Sequence, residues 1–329
     1  MRVLFIGGTG FISTAVSRQA MARGFDLYVL NRGSQPPPAG SHSLIADIHK
    51  PEDVRAVLRE LEFDVVVDWI AYGADDIDRD VALFRDRVKQ YVFISSASAY
   101  QKPPSHYLIT ESTPLNNPYS DYARGKIACE ERLMQAYREE GFPATIVRPS
   151  LTYDHNFPIA IGGRGCYTIA DRLMHGRQII VHGDGSSLWV VTHADDFARG
   201  FLGLLGNGRA LGQTFHITSD EVLTWDQIYQ TIAEALGVEA KIVHIPSDFI
   251  AGVAPQMTAN LLGDKTWSVV FDNSKIKTFV PGFQVTIPFS EGIRRTVAWF
   301  AADERRRRVD EAVHTEMDRI LNIYAEKSM

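Results

Sequence analysis

Residues 3–12 read Val-Leu-Phe-Ile-Gly-Gly-Thr-Gly-Phe-Ile, and this stretch restricts the chain to few architectures. Its four leading apolar residues are typical of a strand that is buried on both faces. A glycine-rich loop follows, and then a helical pattern that runs to Gly24. In such a loop Gly7 allows the tight turn, and Gly10 lets the backbone approach a pyrophosphate at the helix N-terminus. The stretch therefore predicts a dinucleotide-binding loop, with a plain glycine-rich turn as the alternative.

Outward from this loop, strand and helix patterns alternate as far as residue 150. The strand patterns cover Leu27–Leu30, Val65–Ile70, Tyr91–Ser95 and Thr145–Val147. The helical patterns cover Pro51–Leu61, Asp78–Val88 and Asp121–Glu140, with Gly141 as the cap of the last one. This order predicts an α/β fold built on a doubly wound parallel Rossmann sheet.

The length of 329 residues suits two domains. We expect a dinucleotide-binding Rossmann domain over residues 1–155, which a segment near 188–210 rejoins. Residues 156–329 are expected to form mainly a smaller α/β substrate domain. Its predicted helices cover Trp225–Leu236, Phe289–Phe300 and about the last 25 residues.

Composition excludes several classes of protein. Hydrophobic residues make up 45% of the chain, which suffices for a real core and excludes wholesale disorder. The net charge of −6, from 34 Lys plus Arg and 40 Asp plus Glu, argues against a general nucleic-acid binder. Arg305–Arg308 lies near the start of the predicted C-terminal helix. We interpret it as a solvated helix face, with binding of nucleic acid or a partner as the alternative.

Cysteine and histidine usage indicates no metal site. Cys129 and Cys166 form no CxxC pair, and none of the ten histidines forms an HxxxH pattern. The first apolar run stops at Gly7, which argues against a signal peptide. No segment approaches the roughly 20 apolar residues of a membrane helix. We therefore expect a soluble, cytoplasmic protein with no membrane partner.

The end of the second strand bears on cofactor choice. An acidic residue there would bond the ribose hydroxyls of NAD, but Leu30 is followed by Asn31-Arg32. Since Arg32 can pair with a 2′-phosphate, NADP is favoured over NAD. Alternatively, Arg32 stacks on the adenine of either cofactor. Asp47 and Ile48 are predicted to contact the adenine, and the alternative for Asp47 is a cap of the following helix.

Three polar residues form a candidate catalytic set. Tyr122 and Lys126 lie four positions apart on a predicted helix, so both side chains project from one face. A tyrosine has an ordinary pKa of about 10, which a nearby ammonium group and a cationic nicotinamide would lower. Tyr122 would then exchange a proton with a substrate hydroxyl near neutral pH, while Ser96 holds the same oxygen.

These motifs resemble those of the extended short-chain dehydrogenase/reductases, specifically the NAD-dependent epimerase/dehydratase type. The resemblance covers about residues 1–300 and is carried by Ile6–Ile12, Ser95–Tyr100, Tyr122–Lys126, Arg148–Tyr153, His182–Gly185, Thr192–Asp196 and Gly212–Ile217. It implies Ser96, Tyr122 and Lys126 as catalytic residues. As cofactor contacts it implies Gly7, Gly10, Phe11, Ile12, Ala71 and Lys126.

The chain also departs from this pattern. Many relatives that bind nucleotide sugars carry an Arg shortly before the Thr192–Asp196 segment, but residues 186–191 contain none. Ala97-Ser98 stands where 4,6-dehydratases have an Asp-Glu pair, which argues against that activity. The chain further resembles a subgroup that includes relatives of chloroplast stem-loop RNA-binding proteins.

We therefore expect an NAD(P)-dependent enzyme that acts on a sugar or nucleotide sugar, with epimerisation first and reduction second. The alternative is a cofactor-bound RNA-binding or redox-sensing protein without turnover. Weaker substrate contacts are expected at Ser98, Tyr100, His155 and Trp189. For His155 a loop residue is favoured over a substrate contact, and for Trp189 ordinary core is favoured. Relatives often pair through two helices, which implies a homodimer.

Overall fold

The computed structural model describes residues 1–163 and 165–328. The strands are β1 (Arg2–Ile6), β2 (Asp26–Asn31), β3 (His42–Ile45), β4 (Phe63–Asp68), β5 (Val88–Ile94), β6 (Leu108–Ile109), β7 (Ala144–Pro149), β8 (Leu151–Tyr153), β9 (Gln178–His182), β10 (Leu188–Trp189), β11 (Val191–His193), β12 (Gln213–Ile217), β13 (Leu223–Thr224), β14 (Lys241–Ile245) and β15 (Val270–Phe271).

The α-helices are α1 (Phe11–Ala22), α2 (Pro51–Val57), α3 (Ala74–Phe84), α4 (Asp121–Glu140), α5 (Thr168–Met174), α6 (Ala194–Leu202), α7 (Trp225–Leu236), α8 (Ser247–Val253), α9 (Thr258–Asn260), α10 (Ser274–Phe279), α11 (Phe289–Ala301) and α12 (Glu311–Ser328). Short 3₁₀ turns lie at Ala97–Ala99, Gly208–Ala210, Pro255–Met257 and Glu304–Arg306, and Leu261–Lys265 forms a π-helical turn.

A seven-stranded sheet forms the centre of the molecule, in the order β12-β7-β5-β4-β1-β2-β3. Every neighbouring pair in it is parallel. The strand order reverses between β1 and β4, and Val3 of β1 pairs with both Leu27 and Val65. In sheets of this kind a ligand binds outside the carboxyl ends of the strands at that reversal. The predicted α/β Rossmann fold is confirmed.

The alternation of side chains along each strand explains the two helical layers. Val3 and Phe5 face a core that includes residues of α1 and α6. Leu4 and Ile6 face the opposite core, which includes residues of α3 and α4. Because both faces are covered, β1 is apolar throughout its buried part, as is typical of parallel sheets.

A further core lies beside this sheet and includes Trp189, Trp225 and Tyr229. The chain passes between the two regions more than once. Phe197 of α6 and Phe215 of β12 pack in the core of the sheet, as do Ile276 and Phe283 much later in the chain. We keep the division near residue 155 as a proposal. No helix within the described ranges combines the length and apolarity that crossing a bilayer requires.

Helix α3 begins four residues before its predicted start and ends four before its predicted end. The reason is a local cap, since Asp76 accepts hydrogen bonds from the backbone N–H groups of Tyr72 (2.8 Å) and Gly73 (3.3 Å). The residues after Phe84 turn into β5, which starts at Val88.

The arginine run lies before the C-terminal helix, which begins only at Glu311, so its placement on a helix face is wrong. Arg306 donates to the Trp299 carbonyl at 2.7 Å, and its guanidinium lies 4.3 Å from the Trp299 ring centroid. Arg307 donates to the carbonyls of Phe300 and Ala301. These two arginines therefore satisfy carbonyls at the end of α11, where a cation also complements the helix dipole.

Candidate active site

A cleft of about 810 Å³ opens at the carboxyl ends of the central strands. One wall is the glycine loop with the turn after β4, and another is the segment that follows β5. Helix α4, the segment 149–152 and the end of α9 complete it. The lining includes Gly7, Gly8, Thr9, Gly10, Phe11, Ile12, Ser13, Trp69, Ile70, Tyr72, Ser96, Ser98, Tyr122, Lys126, Asn260, Asp264 and Lys265. The structure thus brings the predicted glycine loop and the Ser–Tyr–Lys set to one cavity.

The two predicted glycines meet different requirements. Gly7 has φ = +83°, and a Cβ there would lie 2.6 Å from Cγ2 of Ile70, so both the turn and the packing require glycine. Around Gly10 the space is open, and a Cβ would meet only Ser13 Oγ, at 3.7 Å. Ser13 closes the turn by accepting from Gly10 N at 2.9 Å. The loop is therefore a cradle that a side chain at Gly10 would fill, which fits a bound pyrophosphate.

Lys126 lies almost fully buried at the base of the cleft. Its Nζ donates to the carbonyl of Ala71 (2.7 Å), in the turn after β4, and to that of Ile94 (2.8 Å), the last residue of β5. Burial lowers the pKa of this ammonium group below its usual value, and the carboxylate of Asp68 opposes that shift. An ammonium has three donors, so among the described neighbours one remains for the cleft.

Two tyrosines stand side by side above Lys126. The Tyr122 and Tyr72 rings make an edge contact with centroids 5.6 Å apart, and Lys126 Nζ lies 5.8 Å and 5.0 Å from their respective centroids. Tyr122 is 42% exposed and Tyr72 59% exposed. Sequence reasoning missed Tyr72. Its signal was an aromatic residue directly after Ala71, close to the end of a buried strand.

The serine segment is anchored from below by a buried ion pair. Arg148 of β7 donates to both carboxylate oxygens of Glu130 on α4, at 2.9 Å and 2.5 Å. Ser95 Oγ donates to the same carboxylate at 2.5 Å. The next residue, Ser96, is an acceptor for both N and Oγ of Ser98, at 3.2 Å and 2.9 Å. The network thus ties the predicted catalytic serine to the helix that carries Tyr122.

The predicted adenine-side residues lie outside the cleft lining. Asn31 Oδ1 accepts from Gly33 N at 2.8 Å, which shapes the turn that carries the exposed Arg32. Asp47 Oδ1 accepts from His49 N at 3.1 Å, and Ile48 is 3% exposed. Helix α2 has Lys50 as its N-cap residue, so Asp47 shapes the turn before the helix. Ala71 is buried and contributes its carbonyl to Lys126.

Of the four weaker substrate candidates, the structure brings only Ser98 to the cleft lining. Tyr100 is buried, and its hydroxyl donates to Nδ1 of His216 at 2.9 Å, because Nε2 of that ring donates to Asp272 O. Trp189 is also buried and packs on Trp225 at 5.5 Å between centroids.

His155 pairs with Asp154 at 2.7 Å and lies against Trp299 at 4.6 Å between ring centroids.

The far wall of the cleft contains residues that sequence reasoning did not single out. Asp264 accepts from Lys265, whose Nζ lies 4.6 Å from the Trp189 ring centroid. These residues come from the π-helical turn, which no local sequence pattern indicates.

Comparisons with known proteins agree with this architecture. The family described as "NAD dependent epimerase/dehydratase family" matches residues 3–218. The 2′-dehydrokanamycin reductase of Streptomyces kanamyceticus is 28% identical over 294 residues, which covers 86% of this chain and 80% of that protein. The chloroplast stem-loop binding protein of 41 kDa b from Arabidopsis thaliana is 29% identical over 271 residues, which covers 76% and 68% respectively.

Among solved structures, the UDP-glucose 4-epimerase of Thermus thermophilus in complex with NAD is similar with a TM-score of 0.72 and 23% identity. The match covers 92% of this chain and 99% of that one, and at this identity it shows the fold alone. The chain belongs to the NAD-dependent epimerase/dehydratase family, as the motifs predicted. Membership of this NAD-dependent family supports an enzyme.

Proposed function

We propose that the protein is an NAD(P)-dependent oxidoreductase that interconverts a secondary alcohol and a ketone on a sugar-type substrate. The observation that carries this proposal is the position of Tyr122 and Lys126 in the same cleft as the glycine loop. Reduction is the direction we favour. The reductase relative matches most of the chain, and residues 186–191 offer no Arg for a nucleotide diphosphate. Epimerisation through a transient ketone is the second candidate, which membership of the NAD-dependent epimerase/dehydratase family favours.

In this proposal each of the predicted catalytic side chains in the cleft has a separate chemical role. When bound in the cleft, a nicotinamide cofactor would supply or accept the hydride. Tyr122 donates a proton to the substrate oxygen, or removes one in the reverse direction, and the Lys126 ammonium stabilises the phenolate that results. Ser96 holds the same oxygen with its hydroxyl. The glycine loop and the N-terminus of α1 hold the pyrophosphate.

Reduction and epimerisation can be distinguished by comparing the amount of cofactor consumed with the amount of product formed. We would incubate the protein with NADPH or NADH and a panel of keto sugars and keto nucleotide sugars, and with NADP or NAD and the corresponding hydroxy sugars, and follow cofactor and product together. A reductase consumes one cofactor molecule per product molecule. An epimerase isomerises a hydroxy sugar with no net consumption. No turnover and no cofactor binding across the panel would contradict an oxidoreductase of either kind.

Cofactor preference is expected to depend on the exposed turn after β2. Arg32→Ala should weaken NADP binding by roughly 10- to 100-fold, because a charge-assisted hydrogen bond contributes about 1.5–3 kcal/mol. Its effect on NAD should be much smaller. Asn31→Asp keeps the acceptor for Gly33 N, so the turn should survive. The added charge should repel the 2′-phosphate and shift the preference towards NAD.

The measurement is calorimetric titration of both cofactors at one salt concentration, with the exposed Arg23→Ala variant as the matched control. Wild-type affinity for NAD equal to or above that for NADP would contradict this preference. Arg32 would then be an adenine-stacking residue.

A further inference from the structure

Asp68 is a fully buried carboxylate at the end of β4, directly beneath the cleft. Its Oδ1 accepts hydrogen bonds from the backbone N–H groups of Ile70 (2.6 Å) and Ala71 (2.9 Å). Its Oδ2 faces the Tyr91 hydroxyl at 3.4 Å and the Arg79 guanidinium at 3.7 Å. These four neighbours are donors or carry positive charge, and a fifth, the Asp80 carboxyl, forms a side-chain hydrogen bond with Asp68. Because the pKa of Asp80 is raised well above its usual value, Asp80 is the carboxyl of this pair that holds the proton.

Asp68 holds the turn formed by residues 70–72, and this turn makes three contacts with residues of the cleft. The carbonyl of Ala71 accepts from Lys126 Nζ at 2.7 Å. Ile70 lies against Gly7 of the glycine loop. Tyr72 contacts the ring of Tyr122. A change at Asp68 therefore reaches the proposed proton-transfer residues through one short backbone segment.

We propose that Asp68 is the positioning residue for Lys126, because it fixes the backbone carbonyl that orients the amine and places a buried carboxylate on the same turn. This proposal rests on the function proposed above, in which Lys126 must be cationic to stabilise the Tyr122 phenolate. Asp68 itself touches neither substrate nor cofactor in this account.

Among the groups around Lys126, Asp68 is the main counter-charge to the ammonium. Burial lowers the pKa of Lys126, and among the groups that raise it Asp68 acts most strongly. Weaker contributions come from Asp76 on α3 and from Cys129 and Glu130 on α4. The rings of Phe93, Tyr72 and Tyr122 also face the ammonium. Loss of the Asp68 charge should therefore lower the pKa of Lys126 further.

Asp80 provides a matched control in the same buried cluster. It is also fully buried, and it accepts from Tyr91 OH at 2.6 Å and from Arg79 Nε at 2.8 Å. Burial raises the pKa of Asp80 well above its usual value, and Asp68 adds to that shift. Asp80 makes no contact with the Ile70–Ala71 turn among its hydrogen bonds in the described structure.

The direct test is lysine side-chain NMR with ¹³C-labelled lysine, in which the Cε signal of Lys126 is assigned by its loss in Lys126→Arg. The titration is compared in wild type, Asp68→Asn and Asp80→Asn. We expect Asp68→Asn to lower the titration midpoint of Lys126 by about one pH unit. Asp80→Asn should shift it by less than about a third of that. An unchanged midpoint in Asp68→Asn, or equal shifts in both variants, would overturn the proposal.

Thermal unfolding establishes whether each variant folds. If Asp68→Asn does not fold, Asp68→Ser replaces it, since a hydroxyl can accept from the Ala71 N–H without charge. The Lys126 midpoint in Asp68→Ser is then compared with that in Asp80→Asn, and the same results support or contradict the proposal.

An assay on the active substrate adds a second readout. In Asp68→Asn the alkaline decline of kcat should move to lower pH together with the Lys126 midpoint, while KM changes little. The NMR titration needs neither substrate nor turnover. A failure of the proposed function therefore leaves this test intact, and a failure of this test leaves turnover by the wild type unaffected. If the Lys126 midpoint shifts but the pH profile of kcat does not, the charge of Lys126 has no role in turnover. That result would contradict the positioning role of Asp68.

Discussion

Tyr122→Phe is expected to lower turnover by about 100-fold or more, the scale of general acid–base catalysis, and to leave cofactor affinity nearly unchanged. The substitution removes only the hydroxyl. The phenyl ring keeps its edge contact with Tyr72 and its place above Lys126. The loss should appear in kcat at every pH, because the phenyl ring of the variant carries no proton that it can donate to the substrate oxygen. The measurement is steady-state turnover on the active substrate together with calorimetric cofactor binding.

Tyr119→Phe is the matched control. Tyr119 lies three residues earlier, is 37% exposed, and does not belong to the described cleft lining. Its variant should turn over at nearly the wild-type rate. Turnover of Tyr122→Phe within about threefold of wild type would remove Tyr122 from the mechanism. An equal loss in both variants would point to a general effect on the fold.

Gly10→Val is expected to abolish cofactor binding in a protein that remains folded. The backbone of Gly10 has an ordinary extended conformation, and a Cβ there meets only Ser13 Oγ at 3.7 Å. The protein itself therefore has room for a Cβ at this position. The two methyl groups would occupy the space through which a pyrophosphate must approach the loop. Calorimetry should detect no cofactor binding at concentrations that saturate the wild type.

Substitutions at two other glycines distinguish a loss of cofactor binding from a loss of folding. Gly252 lies on the exposed side of α8 with no atom within 4 Å of its Cβ position, so Gly252→Val should bind cofactor normally. Gly7→Val should instead destabilise the fold, because Gly7 has φ = +83° and contacts Ile70. Unchanged cofactor affinity in Gly10→Val would mean that the loop is a plain turn.

Local signals were sufficient wherever a few neighbouring residues determine the structure. Helix α4 spans Asp121–Glu140 as predicted, because Ser120 caps its start and Gly141, with φ = 70°, ends it. Helix α7 likewise spans Trp225–Leu236, between a capping box at Thr224 and Gly237 with φ = 73°. The glycine loop was recognisable for the same reason.

Contacts between distant parts of the chain were not predictable in this way. The burial of Tyr100 depends on His216, which lies 116 positions away. The link from Asp68 to Lys126 passes through Ala71, and a single sequence does not show that β4 ends beside α4. The wall at Asp264 and Lys265 comes from a π-helical turn that no periodicity predicts. The predicted roles of the site residues remain proposals.

The most direct test of the proposed oxidoreductase is isotope transfer from the cofactor. The wild type would be given NADPH with deuterium in place of both hydrogens at C4 of the nicotinamide, together with the keto substrate that supports turnover. The product would then be analysed by mass spectrometry and NMR. The account predicts one deuterium on the carbinol carbon of each product molecule, with almost none formed by Tyr122→Phe in the same time. Product that forms without deuterium, with the label retained on the cofactor, would contradict hydride transfer from the bound nicotinamide to the substrate.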